Sequence, residues 1–387
     1  MTKVCHFSSA HAPNDTRIFH KQCASLAKEG YEVTFVVKAK DSRSAGVSTE
    51  KGVKIVQVPI DASSRLKRML FGAKAVYQKA LEEDADIYEF HDPELLPYGL
   101  KLAKKGKQVI FDSHEDYPTQ IMEKEWIPSV FRKIISGCYR SYETHVVKHL
   151  AAVLFPCTKN GVNIFEGRAK RTVILSNAVM LEEAVSPQEG GIGQKDGKTV
   201  CCTGSLTYQR GITHLIRAAH LAGVRLVLAG KYSSEEYQKE LESMPEYECV
   251  EYLGYLGRKE LAQVYARTSI GMSTILNVGQ YADLDNFPTK VYEYMAAGLP
   301  VIVSDYPFMR RAVEAEGFGI AVDPSDPQAI AQAINRLLAD RDMALKMGEA
   351  GRAAITQKYN WGIEENCLSC IESWNRKRVL LKRGLLC

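Results

Sequence analysis

Along the chain, short runs of apolar and β-branched residues alternate with stretches whose apolar positions recur at helical spacing. KVCHFSS (3–9) predicts a first strand. TRIFHKQCASLAKEG (16–30) predicts a helix, with Asp15 as N-cap and Gly30 as its stop. Further strand-like runs begin at residues 31, 53, 85, 107 and 151 (YEVTFVV, VKIVQV, ADIYEF, KQVIFD, AAVLF), and helical stretches over 64–82, 94–105 and 128–149 separate most of them. Such alternation predicts a parallel, doubly wound sheet, because parallel neighbours need a crossover long enough to hold a helix.

Near residue 177 both periods fail. NAVMLEEAVSPQEGGIGQKDGK (177–198) mixes glycines, a proline and charges with neither periodicity, and reads as an interdomain connection. The alternation restarts with TVCCTG, VRLVLAG, CVEYLGYL, SIGMST, LPVIVSD and FGIAVD, and a helical tail runs from about residue 326. The expected division is a Rossmann-like domain over 1–180, a linker over 181–198, a second Rossmann-like domain over 199–360, and a helical tail over 361–387 that crosses back to the first domain. Open parallel sheets bind ligands beyond the carboxyl ends of their strands, so two such domains facing each other imply a central cleft.

Composition narrows this picture only slightly. At 387 residues the chain exceeds one ordinary domain, and 45% apolar with 25% charged residues is ordinary for a globular protein. The net charge of +4 carries no argument for nucleic acid. Residues 1–180 hold about 27 Lys and Arg against about 20 acids, so the excess sits in the first half and favours an anionic surface there. The ten cysteines do not read as a disulfide framework: Cys201 and Cys202 are adjacent in a strand-like run, and the opening MTKVCHFSSAHAPND has no apolar signal region. Free thiols in a reducing cytoplasm are the expectation. Cys367 and Cys370 have metal-like spacing but no second pair or His cluster, so no metal is expected from them. No apolar stretch reaches the ~18 residues needed to cross a bilayer.

The most informative chemistry lies at 285–305. Asn286 reads as a helix cap and Pro288 as a first-turn residue, with the helix running through Lys290 and Glu293 to Ala297 and stopping at Gly298. A helix start beneath strand ends is an anion site, since free N–H groups and the dipole both favour a phosphate. Glu293 lies almost two turns inside, where it can accept hydrogen bonds from ribose hydroxyls. Asp285 precedes the helix and could face a sugar.

Asp285-x7-Glu293 followed by YMAAGLPVIVSD resembles the E-x7-E region of retaining glycosyltransferases of family 4 (group 1), which have the GT-B fold. TGSLTYQRG (203–211) is similar to that family's glycine-opened loop, and VEYLGYLGRKEL (250–261) to its nucleobase segment. HDPELL and FDSHEDYP resemble its acceptor-side loops, with His91 and His114 at their tips. The resemblance implies a donor site of Gly204, Ser205, Arg210, Tyr255, Leu256, Asn286, Phe287, Pro288, Thr289, Lys290 and Glu293. It implies catalytic roles for His114, Asp285 and Arg210, with Arg210 on the donor diphosphate and Tyr255 and Leu256 near the base. Retention of anomeric configuration and transfer without a metal are implied likewise, the diphosphate charge being met by Arg210, the helix start and Lys290.

Two positions depart from the family pattern. Asp285 stands where the family has a longer Glu, and Ser205 where it usually has Arg. Lys290 reads either as a diphosphate contact or as a solvated surface lysine. Asp283-Leu284-Asp285 imitates a metal-binding DxD, but Asp285 is already assigned in the resemblance. His91 beside Asp92 and Pro93 suits an acceptor contact or helix-start chemistry, and Asp15 and Arg17 either line the cleft on the acceptor side or cap and solvate the first helix.

RLKRMLFGAKAVYQKA (65–80) puts Leu66, Met69, Leu70, Ala73, Val76, Tyr77 and Ala80 on one helical face amid Lys and Arg, and WIPSVFRKIISGCYR (126–140) has the same character. Each suits either a core-facing helix or docking on an anionic membrane surface, where lipid-linked acceptors reside. The expected activity is sugar transfer from a nucleotide-sugar, UDP favoured over GDP, to a glycan or lipid-linked glycan in polysaccharide, capsule or lipopolysaccharide synthesis. It is placed in the cytoplasm or at the inner face of the cell membrane, with no further cofactor. A non-catalytic nucleotide-sugar binder and a GT-B-fold epimerase remain as alternatives. A nicotinamide dehydrogenase fits less well, because residues 8–14 are SSAHAPN and lack the G-x-G-x-x-G fingerprint.

Overall fold

The computed structural model describes residues 1–41, 43–60, 65–124, 127–181 and 197–373, with backbone alone over 65–70 and 369–373. The chain divides into two compact α/β units. Met1–Thr158, Val162–Asn177 and the stretch from Gly362 form the first, and Lys159–Gly161 with Ala178–Trp361 form the second. Most of the expected linker, 182–196, lies outside the described residues, as does the tail beyond 373.

The first unit is built on β1 (Lys3–Ser8), β2 (Glu32–Lys38), β3 (Gly46–Glu50), β4 (Val53–Val58), β5 (Ile87–Phe90), β6 (Gln108–Asp112), β7 (Ala152–Phe155) and β8 (Thr172–Ile174). They lie in the order β3-β4-β2-β1-β5-β6-β7-β8. The sheet is parallel as expected, with β3 on β4 as an antiparallel pair at its edge. β3 is exposed throughout, so no apolar run marks it. It folds back through Lys51 (φ 50°) and Gly52 (φ 77°), two consecutive left-handed residues of the kind that close a tight hairpin.

The expected helix over 16–30 is also corrected. The Asp15 carbonyl accepts from both Phe19 N (3.0 Å) and His20 N (3.1 Å), opening a wide π-type turn over Thr16–Cys23 before a short α-helix, Ala24–Lys28. Asp15 is the N-cap, its Oδ1 accepting from Arg17 N and Ile18 N at 2.9 Å each. The core joins Phe7, Tyr88, Phe90, Phe111 and Phe155 to Val76, Ala80, Leu96 and Val146. Ala73, Val76, Tyr77 and Ala80 therefore face inward, while Leu66, Met69 and Leu70 lie outside the described side chains. Among the buried polar residues of this sheet, His6 on β1 and Glu89 on β5 are directly paired in register and fully buried.

The second unit contains β9 (Thr199–Leu206), β10 (Arg225–Tyr232), β11 (Val250–Tyr252), β12 (Ile270–Ser273), β13 (Val301–Ser304) and β14 (Gly319–Val322), in the order β11-β10-β9-β12-β13-β14 and parallel throughout. Side-chain alternation on β9 splits the two adjacent thiols. Cys202 packs with Leu226, Leu228, Met272 and Ile302 under helices Ile212–Ala222 and Pro327–Ala339, and Cys201 with Tyr265, Tyr294 and Met295 on the opposite face. The eight described cysteines are all free thiols.

Candidate functional site

On the second unit the donor-side residues gather around the carboxyl end of β9. Gly204 and Ser205 are exposed there. The helix Thr289–Ala296 begins two residues later than expected: Pro288 is its N-cap, with Val291 N bonding the Pro288 carbonyl at 2.8 Å. Asn286 is not the cap, because its Oδ1 accepts from the Tyr292 hydroxyl at 2.6 Å. Phe287 is corrected as well. It is 2% exposed and packs edge-on against Tyr292, Phe318 and Tyr359, so it anchors the loop in the core rather than facing a ligand. Thr289 stands exposed at the helix start.

Lys290 is 8% exposed, which removes the solvated-lysine reading. Its Nζ lies 3.4 Å from Cys202 Sγ, and its Cε would lie 3.9 Å from a Cβ at Gly204. Helix and lysine thus bring positive charge to the end of β9. Glu293 accepts from the Tyr265 hydroxyl at 2.8 Å. That hydroxyl reaches Thr203 Oγ1 at 3.2 Å, so Glu293 is braced against β9 through two side chains. Burial, with the Glu293 charge adding to it, pushes the Tyr265 phenol well above its usual range, keeping it a donor.

Arg210 closes a turn on Thr207, and its guanidinium lies 4.8 Å from the Tyr281 ring centroid. Gly211, at φ +74°, then starts the next helix, and a Cβ there would lie 2.0 Å from the Thr274 carbonyl oxygen. Tyr255 is 74% exposed with Lys231 Nζ 5.1 Å from its ring centroid, whereas Leu256 packs against the core. Asp285 Oδ2 accepts from Gly161 N at 2.6 Å, with Arg311 at 3.6 Å from Oδ1. Asp283 accepts from Asn160 Nδ2 at 3.1 Å, so amide donors occupy both DxD carboxylates.

On the first unit, the acceptor-side candidates converge on a buried carboxylate at the end of β6. Arg17 is corrected from a cleft or solvated residue to a buried one, 6% exposed. Its Nε and Nη2 grip Asp112 at 2.9 and 2.7 Å, and its Nη1 bonds the Leu175 carbonyl and Asn177 Oδ1. Gln22 Nε2, His91 Nδ1 and His114 Nε2 lie 2.7, 3.2 and 3.2 Å from Asp112 Oδ2. Burial opposes the charge on Asp112, but Arg17 and the two imidazoles outweigh it and hold the carboxyl well below its ordinary range.

His91 does not sit at a loop tip. It is fully buried, its Nε2 lies 3.2 Å from His6 Nδ1, and burial pulls it down to about 4. His6 is likewise held well below its ordinary value by burial and by His91. His114 keeps partial exposure and stacks near His11, whose Nδ1 lies 3.1 Å from Asp92. Burial works against the Asp92 charge as well, yet His11, Ser8 and Ser9 N lower it to about 2. Metal-compatible donors are close together in two overlapping trios, His6–Glu89–His91 and His91–Asp112–His114. In the second trio Arg17 already supplies a cation to both Asp112 oxygens.

Residue patterns alone missed His6, Glu89 and Gln22 in the first unit and Lys231, Tyr265, Tyr281 and Arg311 in the second. Only His6 and Glu89 carried a signal, as polar residues inside otherwise apolar strands.

Among known proteins, the model of Glycosyltransferase Family 4 matches residues 16–183 and that of Glycosyl transferases group 1 matches residues 187–354. An uncharacterized glycosyltransferase of Methanocaldococcus jannaschii is 29% identical over 43% of this chain and 43% of its own length. A GDP-mannose-dependent alpha-(1-6)-phosphatidylinositol monomannoside mannosyltransferase of Mycobacterium tuberculosis is 27% identical over 42% and 44%. The chain thus spans less than half the length of these two curated relatives. In fold it is similar to sucrose-phosphate synthase of Thermosynechococcus elongatus, with TM-score 0.77 at 17% identity, covering 97% of this chain and 99% of that one. Two α/β units with parallel sheets, a neighbour of this fold along nearly the whole length, and two consecutive family models place the chain in the group 1 glycosyltransferases of family 4, with the GT-B fold.

Proposed function

We propose that the protein transfers a sugar from a nucleotide-sugar to a glycan or lipid-linked glycan acceptor, with retention and without a metal. The observation that carries this is the buried Lys290, one residue inside the start of helix Thr289–Ala296 and alongside Gly204 at the end of β9. Free N–H groups and an inserted cation there suit a diphosphate leaving group. Glu293, steadied by Tyr265, suits the ribose, and Tyr255 offers an exposed ring to the base. Arg210 takes diphosphate charge, while His114 belongs to the acceptor side.

The reading is tested by incubating the purified protein with a panel of UDP-, GDP- and ADP-sugars, with and without chelator, and following nucleoside diphosphate release. Residue patterns favour UDP, and the mycobacterial relative is named for GDP-mannose, so both belong in the panel. Silence across the panel together with tight NAD(H) binding would overturn the proposal. Release that stops with chelator would remove the metal-free part, and an inverted product anomer would remove retention.

We further propose that helix Ser129–Val147 docks on an anionic lipid surface at the inner face of the membrane. Val130, Phe131, Ile134 and Ile135 are 41–72% exposed on it, beside exposed Lys133 and Arg140, while its acid, Glu143, is buried on Arg168. No described helix is long and apolar enough to cross a membrane. Co-sedimentation with anionic but not neutral vesicles is expected, and Ile134→Glu should abolish it. Equal binding to both vesicle types overturns the lipid assignment.

A further inference from the structure

We infer that Asp112 is a positioning residue: it holds His114 through Nε2 and so presents His114 Nδ1 as the atom that meets the acceptor or donor hydroxyl. The inference rests on the sugar-transfer reading for its catalytic consequence, but its structural half stands on geometry alone.

The geometry begins with Arg17. Its guanidinium fork closes on both oxygens of Asp112, and Leu175 and Asn177 fix the far side of the fork. The carboxylate therefore has one orientation. Gln22 adds a neutral donor at 2.7 Å, and Arg17, Gln22, Asp112 and Leu175 are all buried. An anion fixed in this way can only accept, so an imidazole nitrogen facing it must carry a proton. His114 faces it with Nε2 at 3.2 Å. When the ring is neutral its lone pair is then at Nδ1: among the described residues the ring's polar contacts, to Asp112 and at 3.4 Å to His91 Nδ1, are both made by Nε2.

His91 shares the same oxygen and orders the layer beneath. Its Nδ1 at 3.2 Å donates to Asp112, leaving Nε2 to accept from His6 Nδ1 at 3.2 Å. The two rings lie stacked at an interplanar angle of 13°. His91 in turn meets the His114 ring edge-on, with centroids 5.5 Å apart. His114 is thus held by a bond at one edge and by a fully buried ring against its side. A second carboxylate, Asp92, fixes His11, whose ring packs 4.7 Å from that of His114. His114 itself keeps 17% of its side-chain surface exposed. Buried groups that do not themselves touch the ligand commonly set the tautomer and direction of an imidazole in this way.

The test combines a spectroscopic and a kinetic reading of the full chain. Histidines are labelled with 15N, and long-range proton–nitrogen correlation assigns the bare nitrogen of His114, using His114→Gln to identify its signals. In the wild type the bare nitrogen is Nδ1. In Asp112→Asn, which keeps the shape but loses the charge, the His114 tautomers become mixed or reversed. Turnover of the accepted nucleotide-sugar falls about 10²- to 10⁴-fold, while nucleoside diphosphate affinity, measured calorimetrically, is unchanged. Asp112→Glu, paired with Arg17→Lys to restore the ion pair, recovers part of the turnover. A bare Nε2 on His114 in the wild type, or a tautomer that Asp112→Asn leaves untouched, overturns the inference. If no nucleotide-sugar is turned over by the wild type, the sugar-transfer reading fails, and the tautomer measurement still decides the role of Asp112. Because removing half of a buried ion pair can unfold a domain, Gln22→Leu serves as the milder variant: it loosens the carboxylate, leaves the Arg17 pair intact, and is expected to broaden the His114 signals.

Discussion

At the scale of single residues, the second unit sets a cation, an acid and an aromatic ring about the end of β9. Lys290→Met keeps most of the buried volume and removes the charge. Losing a charge-assisted contact costs about 2 kcal/mol or more, so nucleoside diphosphate affinity should fall roughly 30-fold or beyond in calorimetry, with the fold intact. Arg210→Ala should lower turnover by about 2–4 kcal/mol in activation free energy, the loss expected for a donor aimed at developing charge. A kcat/KM within twofold of wild type would assign Arg210 to its Tyr281 contact alone. Lys290 and Glu293 stood out because they fall at spacings that place them in a helix start, and Arg210 only through the resemblance of TGSLTYQRG. Arg17 and His91 were named but misplaced. A charged residue on a predicted surface helix reads as solvated, and only the tertiary fold reveals the carboxylate 95 positions away that buries it. Phe287 erred in the opposite sense, since a residue beside a helix start looks like part of a site until the aromatic cluster around it is visible.

At the scale of elements, apolar periodicity located nearly every parallel strand, because strands covered on both faces read as continuous apolar runs. It could not see β3, which is exposed at the sheet edge and held by its turn. It placed the start of helix Thr289–Ala296 two residues early, because Asn286 is a good cap by composition and in fact bonds Tyr292. The start of helix Ile212–Ala222 offers a clean measurement. Gly211→Ala combines left-handed strain with a 2.0 Å approach to the Thr274 carbonyl, whereas Gly223→Ala, at φ +66°, meets nothing within 4 Å. The second change should cost about 1 kcal/mol and the first at least about twice that in urea unfolding. Equal costs would mean that the loop bearing Arg210 yields freely, which is incompatible with its fixing a diphosphate ligand.

At the scale of the molecule, the buried imidazoles predict a stability that depends on pH in two senses. His91 titrates near 4 in the fold against 6.5 when unfolded, and His6 is shifted the same way. The unfolded chain therefore takes up protons first as the pH falls. Their contribution is complete above about pH 6.5 and is lost toward pH 4, on the order of 3 kcal/mol for His91. His11 has the opposite sign. Burial disfavours its charge, yet Asp92 raises it, so its contribution is complete below 6.5 and is lost as pH rises through the folded value. Melting temperature followed from pH 8 to 4 should fall steeply below 6.5, and His91→Asn should flatten that limb. An unchanged slope in the variant would assign the acid sensitivity elsewhere.

The three-residue visit of Lys159–Gly161 to the second unit bears on how relatives can be recombined. A chimera joined at residue 178 to exchange the first unit would carry a foreign residue opposite Asp285, whose carboxylate accepts from the amide of Gly161. The two halves are modular in shape but not in sequence. A swap that respects the fold has four junctions rather than one, and it keeps 159–161 with the second unit.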